Sequence, residues 1–209
     1  MIAVGSPEES TRAYYAAHAR EFADATAALD MTEIYRPFVD RLSKGAHVLD
    51  AGCGSGRDTR AFLQMGFRVT SFDISPELVR LATAHSGHFC HVLAFQDMEF
   101  HRKFHGIWAC ASLLHVSRNE MPKVLEHFAR ALKPGGVLYV SLKQGDGERV
   151  VADGRFFSYF RSQEFQALLT NRGWLQMIDT WLSHAPDSSG IDWPWLNFLA
   201  ERTRKAVPE

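Results

Sequence analysis

The chain has 209 residues, 46% of them hydrophobic and 22% charged, with a formal net charge of −1. That length suits one domain with a full core, and the near-neutral charge excludes a protein held to nucleic acid or an anionic membrane by its overall field. Met1 to Ser10 shows no signal-peptide pattern, no apolar run is long enough to span a membrane, and Cys53, Cys90 and Cys110 form no Cys-x-x-Cys pair, so the chain reads as a reduced, cytoplasmic protein.

Neither internal repeats nor low-complexity linkers interrupt it, which favours a single domain over 1–209, with a helical cap over 1–45 and an α/β core over 46–209. Ser6-Pro7-Glu8-Glu9 marks a helix start and leads into an alanine-rich helix from about Ser10 to Leu29. A second helix, about Met31 to Leu42, is closed by Gly45. Strict alternation follows: a strand at His47–Asp50, a helix at Asp58–Met65 ended by Gly66, and a strand at Phe67–Phe72. Ser75-Pro76-Glu77 opens the next helix, with serine as cap, proline in the first turn and glutamate against the dipole.

Phe89–Ala94 reads as a third strand and Gly106–Cys110 as a fourth. Ser117-Arg118-Asn119-Glu120 has the form of a capping box and predicts a helix from there to Leu132. Lys133-Pro134-Gly135-Gly136 predicts a turn before a fifth strand at Gly136–Leu142. A helix at Gln163–Arg172 closed by Gly173, a strand at Leu175–Leu182 and a last strand within Trp195–Glu201 complete the pattern. Such alternation predicts a doubly wound α/β fold, a mostly parallel sheet with helices on both faces.

The chemistry gathers at the strand ends. Val48-Leu49-Asp50-Ala51 runs into Gly52-Cys53-Gly54-Ser55-Gly56-Arg57-Asp58, where glycine lets the backbone turn sharply and a ligand lie against it. The spacing is Gly-x-Gly-x-Gly, not the Gly-x-Gly-x-x-Gly that suits a dinucleotide pyrophosphate. Asp73, ending the second strand, faces the same crevice and is placed to accept both hydroxyls of a ribose. Ile74 is placed to lie against a base, and in Gln96-Asp97-Met98 the acid is placed to accept from an exocyclic amine. Together they suit an adenosine without a pyrophosphate.

These residues, with Ile107–Ala111, Ser112–His115 and Leu132–Gly136, resemble the class I S-adenosylmethionine-dependent methyltransferases over roughly Ala46 to Ser141; Gly56–Thr59 and Ser112–His115 are similar to their small-molecule members. The resemblance implies a Rossmann-like, seven-stranded sheet with its last strand antiparallel, a helical lid before it, and S-adenosyl-L-methionine across the ends of the first two strands. It implies that Gly52 and Gly54 back the methionine moiety, Asp73 binds the ribose and Asp97 meets the adenine amine. Tyr14, Tyr15, Asp50, Cys53, Gly56, Arg57, Ile74, Gln96, Met98, Ala111 and Ser112 complete the candidate cofactor set. A Tyr-rich helix whose one face holds Tyr15, His18, Ala19 and Phe22 is the implied cover. The aromatic segment Gly154–Phe160, with Phe157 and Tyr159, is the implied acceptor wall.

Some residues keep two readings. His115 is open between a general base or acceptor-orienting group and a side chain that bonds a backbone carbonyl and holds its loop. Lys143 either contacts an acidic acceptor or covers the sheet end. Trp193-Pro194-Trp195 is packing or pocket wall. Cys53 reads as a small residue under the cofactor rather than a nucleophile. His85, His88 and His91 do not share a face, and His101 and His105 read as a solvated turn, so no metal is expected. The acceptor is expected to be a small molecule; alternatives are a nonenzymatic S-adenosylmethionine-binding protein and a nicotinamide oxidoreductase.

Overall fold

The computed structural model describes residues 7–186 and 192–208. Ser6, the first residue of the expected helix start, lies outside them. Helices α1 (Pro7–Thr26) and α2 (Thr32–Val39) precede strand β1 (His47–Ala51), helix α3 (Arg57–Gln64), strand β2 (Arg68–Asp73) and helix α4 (Pro76–Ser86). Strands β3 (Cys90–Val92) and β4 (Phe104–Ala109), helix α5 (Met121–Ala131) and strand β5 (Leu132–Lys143) follow. A short hairpin of β6 (Glu148–Val150) and β7 (Phe156–Ser158), helix α6 (Ser162–Thr170), and strands β8 (Leu175–Pro186) and β9 (Asp192–Arg202) complete the chain.

Seven strands form one sheet in the order β3-β2-β1-β4-β5-β9-β8; β9 runs antiparallel to both neighbours, and the pairs among the first five are parallel. Successive side chains on a strand point to opposite faces, and each face here has its own core. Leu49, Ile107, Leu138 and Val140 pack with Val124, Leu125 and Phe128 of α5 and Phe165 of α6. Val48, Trp108, Val137 and Tyr139 pack with Tyr35 and Phe38 of α2 and Phe62 of α3. This is the doubly wound architecture the alternation predicted. Parallel strands joined by crossovers leave their carboxyl ends on one edge.

Three local expectations change. The helix predicted from Ser117 begins at Met121, with Pro122 in its first turn. Ser117 and Glu120 still bond reciprocally, Oγ donating to the Glu120 carboxylate at 2.7 Å and accepting the Glu120 N–H at 3.3 Å, but they close a turn ahead of the helix. Lys133–Gly136 does not separate helix from strand. It is a bulge inside β5, because Leu132 pairs with Phe104 and Val137 with Gly106, leaving four residues looped out around Gly135 at φ 79°. The β6–β7 hairpin was not expected, since three-residue strands carry too little alternation to be read.

In the glycine loop a missing side chain makes room for a helix contact. Gly56, at φ 79°, sits just ahead of α3, where a Cβ would lie 2.8 Å from the Ala82 backbone in α4. Its bareness therefore serves the contact between α3 and α4. We expect Gly56→Ala to lose about 2–4 kcal/mol, from left-handed strain plus overpacking, as measured by urea unfolding.

Candidate active site

The carboxyl ends of β1, β2, β4 and β5 open into a cavity of about 720 Å³, within the range typical of small-molecule sites. Its floor is the loop after β1. Gly52 (φ 81°) and Gly54 (φ 52°) line it, and a Cβ on Gly52 would lie 2.4 Å from Ser112 Cβ. Asp73 ends β2 at the wall. Its carboxylate accepts the N–H of Gly54 and of Ser75, each at 3.0 Å, so it fixes the glycine loop to the start of α4. Burial raises its pKa against the pull of these N–H bonds.

Helix α1 lies along one side. Thr11, Tyr15, Phe22 and Thr26 fall on one face and line the cavity. Phe22 is 3.2 Å from where a Gly54 Cβ would stand, and the hydroxyls of Thr26 and Ser55 are 3.1 Å apart. The far end is built by His115, Ser141, Lys143, Arg155, Phe157 and Trp195.

Of the sequence candidates, Tyr15, Gly52, Cys53, Gly54, Arg57, Asp73, Ile74, Gln96, Ala111, Ser112, His115, Lys143 and Phe157 line this cavity. Six do not. Asp50 is buried beneath the loop and accepts the Thr59 hydroxyl at 2.6 Å, bracing the start of α3. Gly56 packs on α4, as above. Asp97 and Met98 follow Phe95 and Gln96 on a single 3-10 turn that presents Phe95 and Gln96 to the cavity; Asp97 faces solvent in a separate polar pocket, and Met98 packs into the core. Tyr14 sits outside the wall, its ring stacked on His18 and lying under the Arg155 guanidinium at 4.6 Å. Tyr159 stands behind Phe157, beside Trp193.

Sequence reasoning gave no individual role to Asp58, Leu93, Phe95, Arg155 or Asn197, all of which line the cavity. Arg155 lay within reach, a lone cation in the aromatic Gly154–Phe160 segment expected to form the acceptor wall.

His115 holds both readings to account. Its Nδ1 donates to the Phe156 carbonyl at 2.7 Å, and Nε2 lies 3.1 Å from the Tyr15 hydroxyl, so both nitrogens are engaged. In the neutral ring that the lowered pKa favours, Nε2 accepts from Tyr15. Burial, with added repulsion from Arg155 and Lys143, pushes its pKa down to about 4. Burial likewise pushes the Tyr15 phenol up to about 12. The Cys53 thiol, beside Cys90 and buried, is held well above its ordinary value, which removes it as a nucleophile. Among the described residues no group of three or more His, Cys, Asp or Glu comes together.

This chain is similar to several known proteins. A methyltransferase-domain family matches residues 48–136. The ubiquinone biosynthesis O-methyltransferase of Xylella fastidiosa (strain 9a5c) is 33% identical over 181 residues, spanning 76% of this chain and 70% of that protein. The chain belongs to the S-adenosylmethionine-dependent methyltransferases. The like-named protein of Xanthomonas campestris pv. campestris is 34% identical over 46% of this chain and 43% of its own length. The fold matches a methyltransferase of Methanosarcina mazei (TM-score 0.76, 21% identity, 85% of this chain and 100% of that one). It also matches the 1,6-didemethyltoxoflavin-N1-methyltransferase of Burkholderia thailandensis, solved with 1,6-didemethyltoxoflavin and S-adenosylhomocysteine (TM-score 0.74, 24% identity, 95% and 91%).

The residues of this methyltransferase fit the cofactor that its family uses. Without a Cβ, Gly52 packs on Ser112 and Gly54 on Phe22 while both leave their backbone at the cavity, and Asp73 offers carboxylate lone pairs beyond those that hold backbone N–H groups. No helix among the described residues is long and apolar enough to cross a membrane.

The buried His115 gives a pH signature. An unfolded histidine takes up its proton near pH 6.5, whereas this one does so only near 4. Its contribution to stability is thus complete above pH 6.5 and falls as pH drops toward 4, by at most about 1.4 kcal/mol per pH unit. Denaturant unfolding between pH 7 and 4 is expected to show a shallower decline in His115→Asn than in the parent.

Proposed function

We propose that this methyltransferase transfers a methyl group to a hydroxyl of a small molecule seated between His115, Lys143 and Phe157. The observation that carries the reading is the continuity of one cavity, from the Gly52–Gly54 floor and Asp73 to an acceptor-sized end under α1 and β7. That end distinguishes a turning-over enzyme from a protein that only binds the cofactor. The curated relatives' names, O-methyltransferases, support oxygen as the acceptor atom.

S-Adenosylmethionine, when bound, supplies a methyl already activated on a sulfonium. What remains for the protein is alignment, exclusion of water and a suited polar surrounding. Asp73 holds the ribose hydroxyls, while Gly52 and Gly54 let the backbone approach the methionine end. Ile74, Leu93 and Phe95 flank the adenine, and Gln96 offers an amide at its edge. Tyr15 and Phe22 of α1 close the near side, and Phe157 seats the acceptor.

His115 is a positioning residue on this reading. A group with a pKa near 4 is a feeble base at neutral pH, and its Nε2 already accepts from Tyr15. Its two bonds tie α1 to the loop before α5 and to β7, holding the cover over the acceptor end. A hydroxyl acceptor of this enzyme is therefore one acidic enough to react without a strong base, such as a phenol.

Calorimetric titration with S-adenosylmethionine, S-adenosylhomocysteine and NAD tests the assignment; binding of NAD alone would overturn it. We expect Asp73→Ala to weaken S-adenosylhomocysteine binding by about 1.5–3 kcal/mol, the scale of a lost charged hydrogen bond. An unchanged affinity in that variant would remove Asp73 from the ribose.

A further inference from the structure

A second sulfur stands behind the glycine loop, and methyl transfer makes no use of it. Cys90 opens β3 and is 1% exposed, while Cys53, 7% exposed, lines the cavity. Their side chains pack together against Val79 and Ala82 of α4. Strand β2 serves both backbones: the Cys53 N–H donates to the Phe72 carbonyl at 2.8 Å, and Cys90 pairs with Ser71. The Cys53 thiol donates to the Cys90 sulfur, and the Ser71 hydroxyl donates to it at 3.1 Å. The hydroxyls of Thr83 and Ser86 face the same sulfur.

Donors gathered around a sulfur favour its charged form. The bond from Cys53 does most to draw the Cys90 pKa down to about 6, against the effect of burial. Cys110, by contrast, is pushed up to about 12 by burial. Of the three free cysteines, Cys90 is the one that is a thiolate, and hence a nucleophile, at neutral pH. Its backbone is fixed by the β2–β3 ladder and by its N–H bond to the Thr83 hydroxyl at 3.2 Å. Cys53 lies instead in a loop between two positive-φ glycines. A bond between the sulfurs therefore draws Cys53 toward β3. The next residue, Gly54, holds the Asp73 carboxylate through its N–H, so the pull reaches both ends of the cofactor cradle.

We propose that Cys53 and Cys90 are a redox pair: a hydroperoxide joins them as a disulfide, and that bond and S-adenosylmethionine exclude one another. The second half rests on the methyl-transfer reading above. The Cys90 thiolate attacks one oxygen of hydrogen peroxide, the O–O bond breaks, and the other oxygen takes a proton and leaves as water. Cys90 is then a sulfenic acid, and Cys53 has lost the partner that held its proton. The Cys53 sulfur attacks the Cys90 sulfur, and the hydroxyl leaves with the Cys53 proton as a second water. Two thiols lose two electrons, and one peroxide becomes two waters. The peroxide enters through the cavity wall at Cys53, which a seated cofactor covers.

The test treats the full chain with hydrogen peroxide, alkylates the remaining thiols and maps the peptides, with S-adenosylhomocysteine titrated before and after. Mapping is expected to join Cys53 to Cys90 and to leave Cys110 alkylated. The oxidised chain should bind S-adenosylhomocysteine at least about tenfold more weakly, within the scale of coupling between sites. Dithiothreitol should restore the affinity, and saturating S-adenosylhomocysteine should slow formation of the link. Cys90→Ser should bind like the reduced parent both before and after peroxide. Should that variant fail to bind when reduced, the mapping and its reversal in the parent decide. Absence of the Cys53–Cys90 link, a link that leaves affinity unchanged, or an equal loss of affinity in peroxide-treated Cys90→Ser would overturn the proposal. Failure of the reduced parent to bind S-adenosylhomocysteine would instead overturn the methyl-transfer reading, with the link still judged by mapping.

Discussion

The carboxylate of Asp58 is the point on which the rest of this molecule hangs. It sits in the first turn of α3, buried, and accepts from Tyr35 at 2.6 Å, Arg57 at 2.6 and 2.9 Å, and Trp108 at 2.8 Å. A buried carboxylate without partners would cost several kcal/mol and would take up a proton. Burial does push this one upward, but Arg57 and the Tyr35 and Trp108 donors outweigh it and hold the group below its ordinary value. Its neighbour Asp50 has the opposite fate. Burial and the Asp58 charge raise it well above normal, and its bond from Thr59 only partly offsets that. One acid is kept charged and the other is driven toward neutrality, so the pair coexists under the glycine loop.

From Asp58 the contacts continue across the sheet. Trp108 stacks on Tyr139 with ring centres 3.8 Å apart, and the Tyr139 hydroxyl donates to Asn197 at 2.7 Å. Helices α2 and α3 are thereby joined to β4, β5 and β9 through side chains that are almost wholly buried. The cavity rests on this line of groups: Asp58, Tyr139 and Asn197 all contribute to its wall. Rigid support of this kind is what lets a site align reacting atoms.

What was legible in the sequence was local. The positive φ of Gly52, Gly54 and Gly56 follows from the spacing of three glycines, and Ser75 caps α4 as its neighbours announce. Alternating strands and helices foretold the sheet and its two cores. What was not legible depends on how distant pieces dock. Asp97 was assigned to the crevice because it follows β3, but a three-residue 3-10 turn can present few of its side chains to one side, and here Phe95 and Gln96 face inward. Tyr159 and Phe157 lie two apart and share a strand-like face in sequence, yet Phe157 lines the cavity while Tyr159 stands behind it, against Trp193. Arg57 adjoins Asp58, but its other two partners, Tyr35 and Trp108, lie 23 and 50 residues away, beyond any local pattern.

The order in which the walls occur along the chain has a consequence for synthesis. Tyr15 and Phe22 of α1 emerge from the ribosome long before the surfaces they cover, since Leu78 of α4, His115 and β7 are made some 50 to 140 residues later. Trp195 and Asn197, on β9, follow later still. An early helix with an aromatic face thus waits for the rest of the chamber, whose walls are complete only once β9 has been made.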